Sequence, residues 1–298
     1  MLSLASDVRP PRGGGDEALL RVAADAAANG IHLAGGCDLA VFAPLAANAL
    51  RLGLRVASLA LPLPERPLPA GRRLPRLSAH ARDEREAAIA LALRGLETAA
   101  PVGARLALLD FGEVALSVRA PELARTFARA EMDEDEPGDR LRAAAVAERR
   151  SRSAEVVDAC RWALERLARA AERAGVTLAL PVAATPWQVP SPREARQLAE
   201  AFAGAPVGLV WDPGRLSVLA SLGLAISDDR VRSLAGDAVV ALENDAVGIE
   251  AGLLPGLGER DARIAAIVPA TTVPHIVTGR PDSTDAELAA AIARVLRI

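Results

Sequence analysis

Lysine and tyrosine are both absent from this 298-residue chain, so every permanently cationic side chain is an arginine. Without lysine there is no Schiff-base chemistry and no Walker-type phosphate lysine; without tyrosine there is no phenolic acid or base. A GC-rich coding sequence accounts for such a bias with no functional demand behind it. Histidine occurs only as His32, His80 and His275, which limits imidazole chemistry to three positions. The two cysteines, Cys37 and Cys160, are too few to staple a fold of this size, and a reduced cytoplasm is the expected compartment. A formal net charge of −3 offers no electrostatic footprint for nucleic acid or for an anionic membrane. Uncharged apolar stretches such as Ala201–Trp211 are too short to span a bilayer. No basic segment followed by an apolar one stands in the first fifteen residues, so no signal peptide is expected. Gly-x-Ser-x-Gly, His-Glu-x-x-His and paired Cys-x-x-Cys patterns are also missing, which removes support for serine-hydrolase and zinc-protease chemistry.

What is present is apolar material, 51% of the residues, in short aliphatic runs that alternate with longer Ala/Leu/Arg/Glu stretches of helical period. The runs predict eight strands: Met1–Ala5, Ile31–Ala34, Arg55–Leu61, Arg105–Leu109, Val176–Leu180, Val207–Trp211, Ala238–Leu242 and Val273–Thr278. Helices are expected at Asp16–Asn29 after the Gly13–Gly15 loop, then at Leu39–Leu52, Asp83–Ala99, Ser153–Ala174 and Pro192–Ala203. Three more follow at Arg215–Leu224, Glu259–Val268 and Asp285–Leu296. The acid run Glu131–Asp139, broken by Pro137 and Gly138, is a solvated excursion on this pattern, with a cation-binding loop as the alternative. Gly13–Gly15 and the Gly256-Leu257-Gly258 turn fit neither a dinucleotide nor a P-loop fingerprint, and turn chemistry explains them. Eight near-continuous apolar strands alternating with helices predict a parallel sheet covered by helices. The count and the length favour one closed (β/α)₈ TIM barrel, residues 1–298, over an open doubly wound sheet.

Two segments carry a resemblance: ALERLARAAERAGVTLAL (163–180) and SPREARQLAEAFAGAPVGLVWDPGRL (191–216). Weaker echoes stand at GLRVASLAL (53–61), LENDA (242–246) and LLPGLGERD (253–261). Together they resemble the xylose-isomerase-like barrels, which include sugar-phosphate isomerases and epimerases and the AP endonucleases of the same superfamily. The resemblance implies a divalent cation (Mn, Mg or Zn) at the C-terminal mouth. Its ligands would be a Glu ending strand five, an Asp ending strand six, a His on strand seven and a Glu on strand eight. Such a cation polarises a sugar carbonyl while a carboxylate moves the proton. This sequence departs from that pattern. Pro181 stands for the first Glu, Leu242 for the His, and strand eight offers His275 and Thr278 but no Glu. Asp212 alone is retained, and a His expected three residues after it is Arg215.

Two outcomes stay open for the mouth. Asp212, Glu243 or Asp245, and His275 all fall at predicted strand ends and could rebuild a cation site, although strand alternation turns Glu243 inward only if the register shifts by one. Alternatively Asp212 and Arg215 form an ion pair, and no metal cofactor is needed. Arginine would then grip a carboxylate or phosphate. Asp110, at the end of strand four, is a site candidate or a cap. His32 either faces the pocket or is a hydrogen-bonded structural imidazole. Trp187, in the loop TPWQVPSP (185–192), could cover a sugar face, whereas Trp211 is expected between sheet and helix. The function these residues imply is a sugar isomerase- or epimerase-like barrel acting on a small polar ligand. Asp212 would be base or residual metal ligand, Glu243 or His275 the proton shuttle, and Arg215 the anion grip. The alternative is a barrel without catalysis that binds a ligand or a protein partner, a second copy of the chain included. Endonuclease chemistry needs a His- and Glu-rich metal cluster that three histidines cannot furnish.

Overall fold

In a computed structural model, the structure describes residues 1–6, 17–35, 37–69, 71–117, 122, 125, 136–224, 226–267, 269 and 272–297. The Gly13–Gly15 loop, the Asp16 cap and Glu131–Asp135 of the acid run lie outside the described residues. Strands β1 (Leu2–Ala5), β2 (Gly30–Leu33), β3 (Arg55–Leu61), β4 (Leu106–Leu109), β5 (Thr177–Leu180), β6 (Val207–Trp211) and β7 (Ala238–Glu243) are parallel. A hairpin of β8 (Asp245–Val247) and β9 (Glu250–Leu253) follows, and then β10 (His275–Val277), which pairs with β7 and β1 and closes the barrel.

Helices cover this barrel from outside while side chains fill it from within, so the strands are apolar on both faces. The two faces can be told apart. Ala5, Leu106, Leu108, Ala179, Val210, Val240 and Ile276 form one cluster, and only the barrel interior brings residues of six different strands together. Their alternating neighbours Leu4, Ala107, Leu109, Leu178, Leu180, Leu209, Trp211, Ala241 and Val277 belong to the outer core beneath the helices. Trp211 therefore packs between sheet and helix, as its sequence context implied.

The helices are α1 (Glu17–Asp25), α2 (Leu39–Arg51), α3 (Arg82–Ala99), α4 (Glu136–Ser151), α5 (Ser153–Ala174), α6 (Pro192–Ala201), α7 (Pro213–Ser221), α8 (Asp228–Gly236), α9 (Ala262–Ala265) and α10 (Asp285–Val295). In α5 the buried residues Val156, Cys160, Ala163, Leu164, Leu167 and Ala171 recur at helical spacing, and Gly175 ends the helix at φ +62°. A capping box of Ser191 and Glu194 starts α6, with Pro192 in the first turn.

Three expectations need correction. The helix foreseen over Glu259–Val268 shrinks to the four residues of α9, capped by Asp261, and the hairpin before it was not foreseen. Gly248 and Gly252 adopt positive φ in that hairpin, and Gly256 in the loop after it. The acid run does not end in a loop: α4 begins at Glu136 and takes Pro137 into its first turn, where no helical hydrogen bond is lost. Helix α8, in the stretch left without an element, follows Ser227 and opens on Asp228 and Asp229. Among the described residues no helix is long and apolar enough to cross a membrane.

Candidate functional site

Continuing the interior-facing alternation two residues past Leu108, Ala179, Val210, Leu242 and Ile276 leads to Asp110, Pro181, Asp212, Asn244 and Thr278. These positions end their strands at the C-terminal mouth. Asp212 is buried and carries the densest set of contacts. Its Oδ1 accepts the backbone N–H of Arg215 at 3.0 Å, capping α7, and the Nδ2 of Asn244 at 3.1 Å. Its Oδ2 lies 3.3 Å from Arg215 Nε. A terminal guanidinium nitrogen of Arg215 donates to the carbonyl of Val182 at 3.1 Å, so this arginine bridges the ends of β6 and β5. About a third of its side chain (36%) remains exposed.

Asn244 was not foreseen. Its place on the interior-facing alternation, two residues beyond Leu242, was the signal available for it. The Asn244 Oδ1 is buried without a hydrogen-bond partner, and a Cβ at position 214 would stand only 1.7 Å from it. Glycine at 214 is thus a condition for Asn244 to reach Asp212. Gly214→Ala is expected to cost about 1–3 kcal/mol in urea unfolding, the range of an overpacked core. Gly236→Ala, which would meet open space, should change stability little.

Glu243, Asp245 and His275 do not converge on the mouth, which corrects the sequence expectation. Glu243 shares its strand face with Ala241 and pairs in register with Val277, both in the outer core. His275 opens β10 instead of closing it: the strand has three residues, and the His275 N–H meets the Met1 carbonyl at 2.8 Å. On this outer side Glu243 accepts from His275 Nδ1 at 2.9 Å and from Arg260 at 3.2 Å. Arg260 Nε also reaches Asp245 Oδ1 at 2.7 Å, and Asp245 Oδ2 accepts the Gly256 N–H at 2.5 Å. Burial pushes the Glu243 carboxyl up, but the hydrogen bond from His275 and the charge of Arg260 outweigh it and hold the group below the usual carboxylate range. The network ties the β8–β9 hairpin and the loop around Gly256 to the end of β7.

The other candidates are dispersed. His32 lies between Ile31 and Leu33 of the outer core and therefore faces the interior, with Nδ1 2.9 Å from Ser58 Oγ. Burial lowers its pKa to about 4, so it is a neutral imidazole at neutral pH. Trp187 is buried against Leu116, Leu141, Ala145, Leu222 and Ile249, and packs as a wedge under α4 and the end of α7. Asp110 is exposed at the end of β4, where its carboxylate accepts the Gly112 N–H at 2.8 Å.

The mouth departs from the ligand pattern that the resemblance implies for a divalent cation. Pro181 and Leu242 offer no side-chain donor, Thr278 offers only a hydroxyl, and Asp212 already faces the Arg215 cation. Among the described residues no group of three or more His, Cys, Asp or Glu side chains is placed to hold a metal ion.

No protein-family model and no curated protein matches the sequence. Solved structures do match its fold. D-Psicose 3-epimerase from Clostridium cellulolyticum H10 aligns with a TM-score of 0.64 at 12% identity, over 100% of this chain and 98% of the other. The 3-keto-D-glucoside 4-epimerase of E. coli aligns at 0.65 and 12% identity, over 100% and 99%. A xylose isomerase domain protein from Alicyclobacillus acidocaldarius aligns at 0.59 and 13% identity, over 100% and 98%. The closed parallel barrel and these neighbours together identify the fold as that of the xylose-isomerase-like sugar epimerases and isomerases.

Proposed function

We propose that the protein binds a small polar ligand of the sugar or sugar-phosphate kind at the C-terminal mouth, without a divalent cation. The observation that carries this reading is the Arg215 guanidinium, held by Asp212 and the Val182 carbonyl and still partly exposed. A guanidinium fixed at two points presents its remaining N–H groups in a set direction and favours a carboxylate, phosphate or carbonyl oxygen. Asp212 accepts hydrogen bonds from the Arg215 N–H and Asn244 Nδ2 and forms an ion pair with the Arg215 guanidinium, so its first task is to orient that arginine. Ligand sites of such barrels lie at this face.

A second reading, proton transfer on the bound sugar, draws on the epimerases that share the fold. Asp212 would be the base and Arg215 would stabilise the oxyanion that develops on the carbonyl oxygen. Titration calorimetry against a panel of ketoses, aldoses and their phosphates tests the first reading. Saturable binding should weaken by about ten- to a hundredfold in Arg215→Ala, the scale of a lost charge-assisted hydrogen bond. If no panel member binds, or if the variant binds as well as wild type, the reading fails. Deuterium uptake from D₂O into the bound sugar, followed by NMR, decides between binding alone and proton transfer.

A further inference from the structure

A cavity of about 880 Å³ opens on the flank of the barrel, between α6, the end of α7, α8 and the junction of α4 with α5. Among the described residues five arginines line it, Arg149, Arg150, Arg193, Arg196 and Arg230, against a single acid, Glu194. Arg149 is committed to Glu194, and Arg196 to Glu200 and Asp237. Arg150, Arg193 and Arg230 have no ion-pair partner among the described residues, so three of the lining arginines stand there without a carboxylate from that set.

Two further polar groups stand incomplete in the same wall. Thr185 and Arg149 are each 7% exposed, yet Thr185 Oγ1 and Arg149 Nε lack a hydrogen-bond partner. Nε of arginine can only donate, so the wall of the cavity contains one buried donor and one hydroxyl whose hydrogen bonds are not made within the described residues.

We propose that this cavity is a binding site for an organic phosphate, a phosphomonoester dianion on a small polar body. Three unpaired guanidinium groups exceed what one carboxylate neutralises and suit the charge and oxygen geometry of a phosphate. The volume lies in the range of small-molecule sites, about 300–1,000 Å³. Leu219 and Leu224 on the wall offer apolar contact to the carbon body. The site is separate from Arg215, which does not line the cavity.

The test is titration calorimetry of the full chain at constant ionic strength. The probes are fructose 6-phosphate, glycerol 3-phosphate, adenosine 5′-monophosphate, inorganic phosphate and fructose. At least one phosphomonoester should saturate the site more tightly than inorganic phosphate does, and fructose should not compete with it. Arg193→Ala/Arg230→Ala, at two exposed unpaired positions, should retain the wild-type melting temperature and lose about tenfold or more in affinity. With glycerol 3-phosphate, which is neither a ketose, an aldose nor a phosphate of one, Arg215→Ala should leave binding intact, which separates this site from the mouth. The proposal is overturned if no phosphomonoester saturates, if the double variant binds as wild type, or if inorganic phosphate binds as tightly as every ester.

Discussion

Replacing Arg149 with methionine is expected to destabilise the protein by about 3–5 kcal/mol, the range for removing one partner of a buried ion pair. Both side chains are nearly inaccessible, and the guanidinium stands 2.5 Å from the Glu194 carboxylate. Glu194 also accepts from Ser153 Oγ at 2.6 Å and from the Ser191 N–H at 2.8 Å, so the pair anchors the start of α6 to α4 and α5. Burial raises the Glu194 pKa, but the hydrogen bond and charge of Arg149, with the two serine donors, outweigh it and leave the carboxyl below its usual value. The sign of the pH effect follows. A carboxyl whose folded pKa is depressed stabilises the protein above the unfolded value and loses that contribution as pH falls through the folded value. In Arg149→Met the carboxylate faces no cation and its ionisation opposes folding. The deficit against wild type should therefore be largest near neutrality and narrow as the medium is acidified. Urea unfolding at pH 7 and pH 5 measures both. Arg149→Met/Glu194→Leu, which removes both charges, should recover part of the loss; equal deficits in the single and double variants would contradict a role for the stranded charge.

Arg260→Met is expected to have the next largest effect, about 3 kcal/mol, because one cation serves two buried carboxylates. Its side chain lies 3.2 Å from Glu243 and 2.7 Å from Asp245. Without it, two acids share the space behind β7, with His275 beside Glu243. The damage should be local first. Asp245 holds the N–H groups of Gly256 and Gly258, at 2.5 and 3.4 Å, and those amides should exchange with solvent much faster in the variant. Hydrogen exchange followed by mass spectrometry reads this directly. Unchanged protection of the segment around Gly256 would show that the loop is held by other means. Arg260→Lys should rescue only in part, since one ammonium cannot span both carboxylates as the guanidinium fork does.

The elements whose signals are local were legible in the amino-acid sequence. Arg55–Leu61, Val207–Trp211 and Ser153–Ala174 coincide with the strands and helix observed, because aliphatic runs, helical spacing and a terminal Gly175 are written within a few residues. The number and order of the eight barrel strands, and the retained Asp212 beside Arg215 at the end of the sixth, needed no coordinates either. The β8–β9 hairpin was not foreseen, because its strands are only three and four residues long and its glycines take positive φ, which composition does not announce.

Which side each strand end faces was decided only by tertiary structure. The difference between Leu242 and Glu243 is one residue of register, and barrel closure with β10 turns the first toward the interior and the second toward Arg260 and His275. The same closure makes His275 the first residue of its strand and removes it from the mouth. Asn244 joins Asp212 across 32 positions of sequence, through space that Gly214 leaves open. The arginine-lined cavity assembles side chains from α4, α6 and α8, helices whose charges look like ordinary solvated faces until packing sets them against one another. Local sequence thus determined the strands and their helices, since propensity and periodicity act over short range. Long-range packing decided which polar side chains meet, because convergence depends on register and on the closure of the whole sheet.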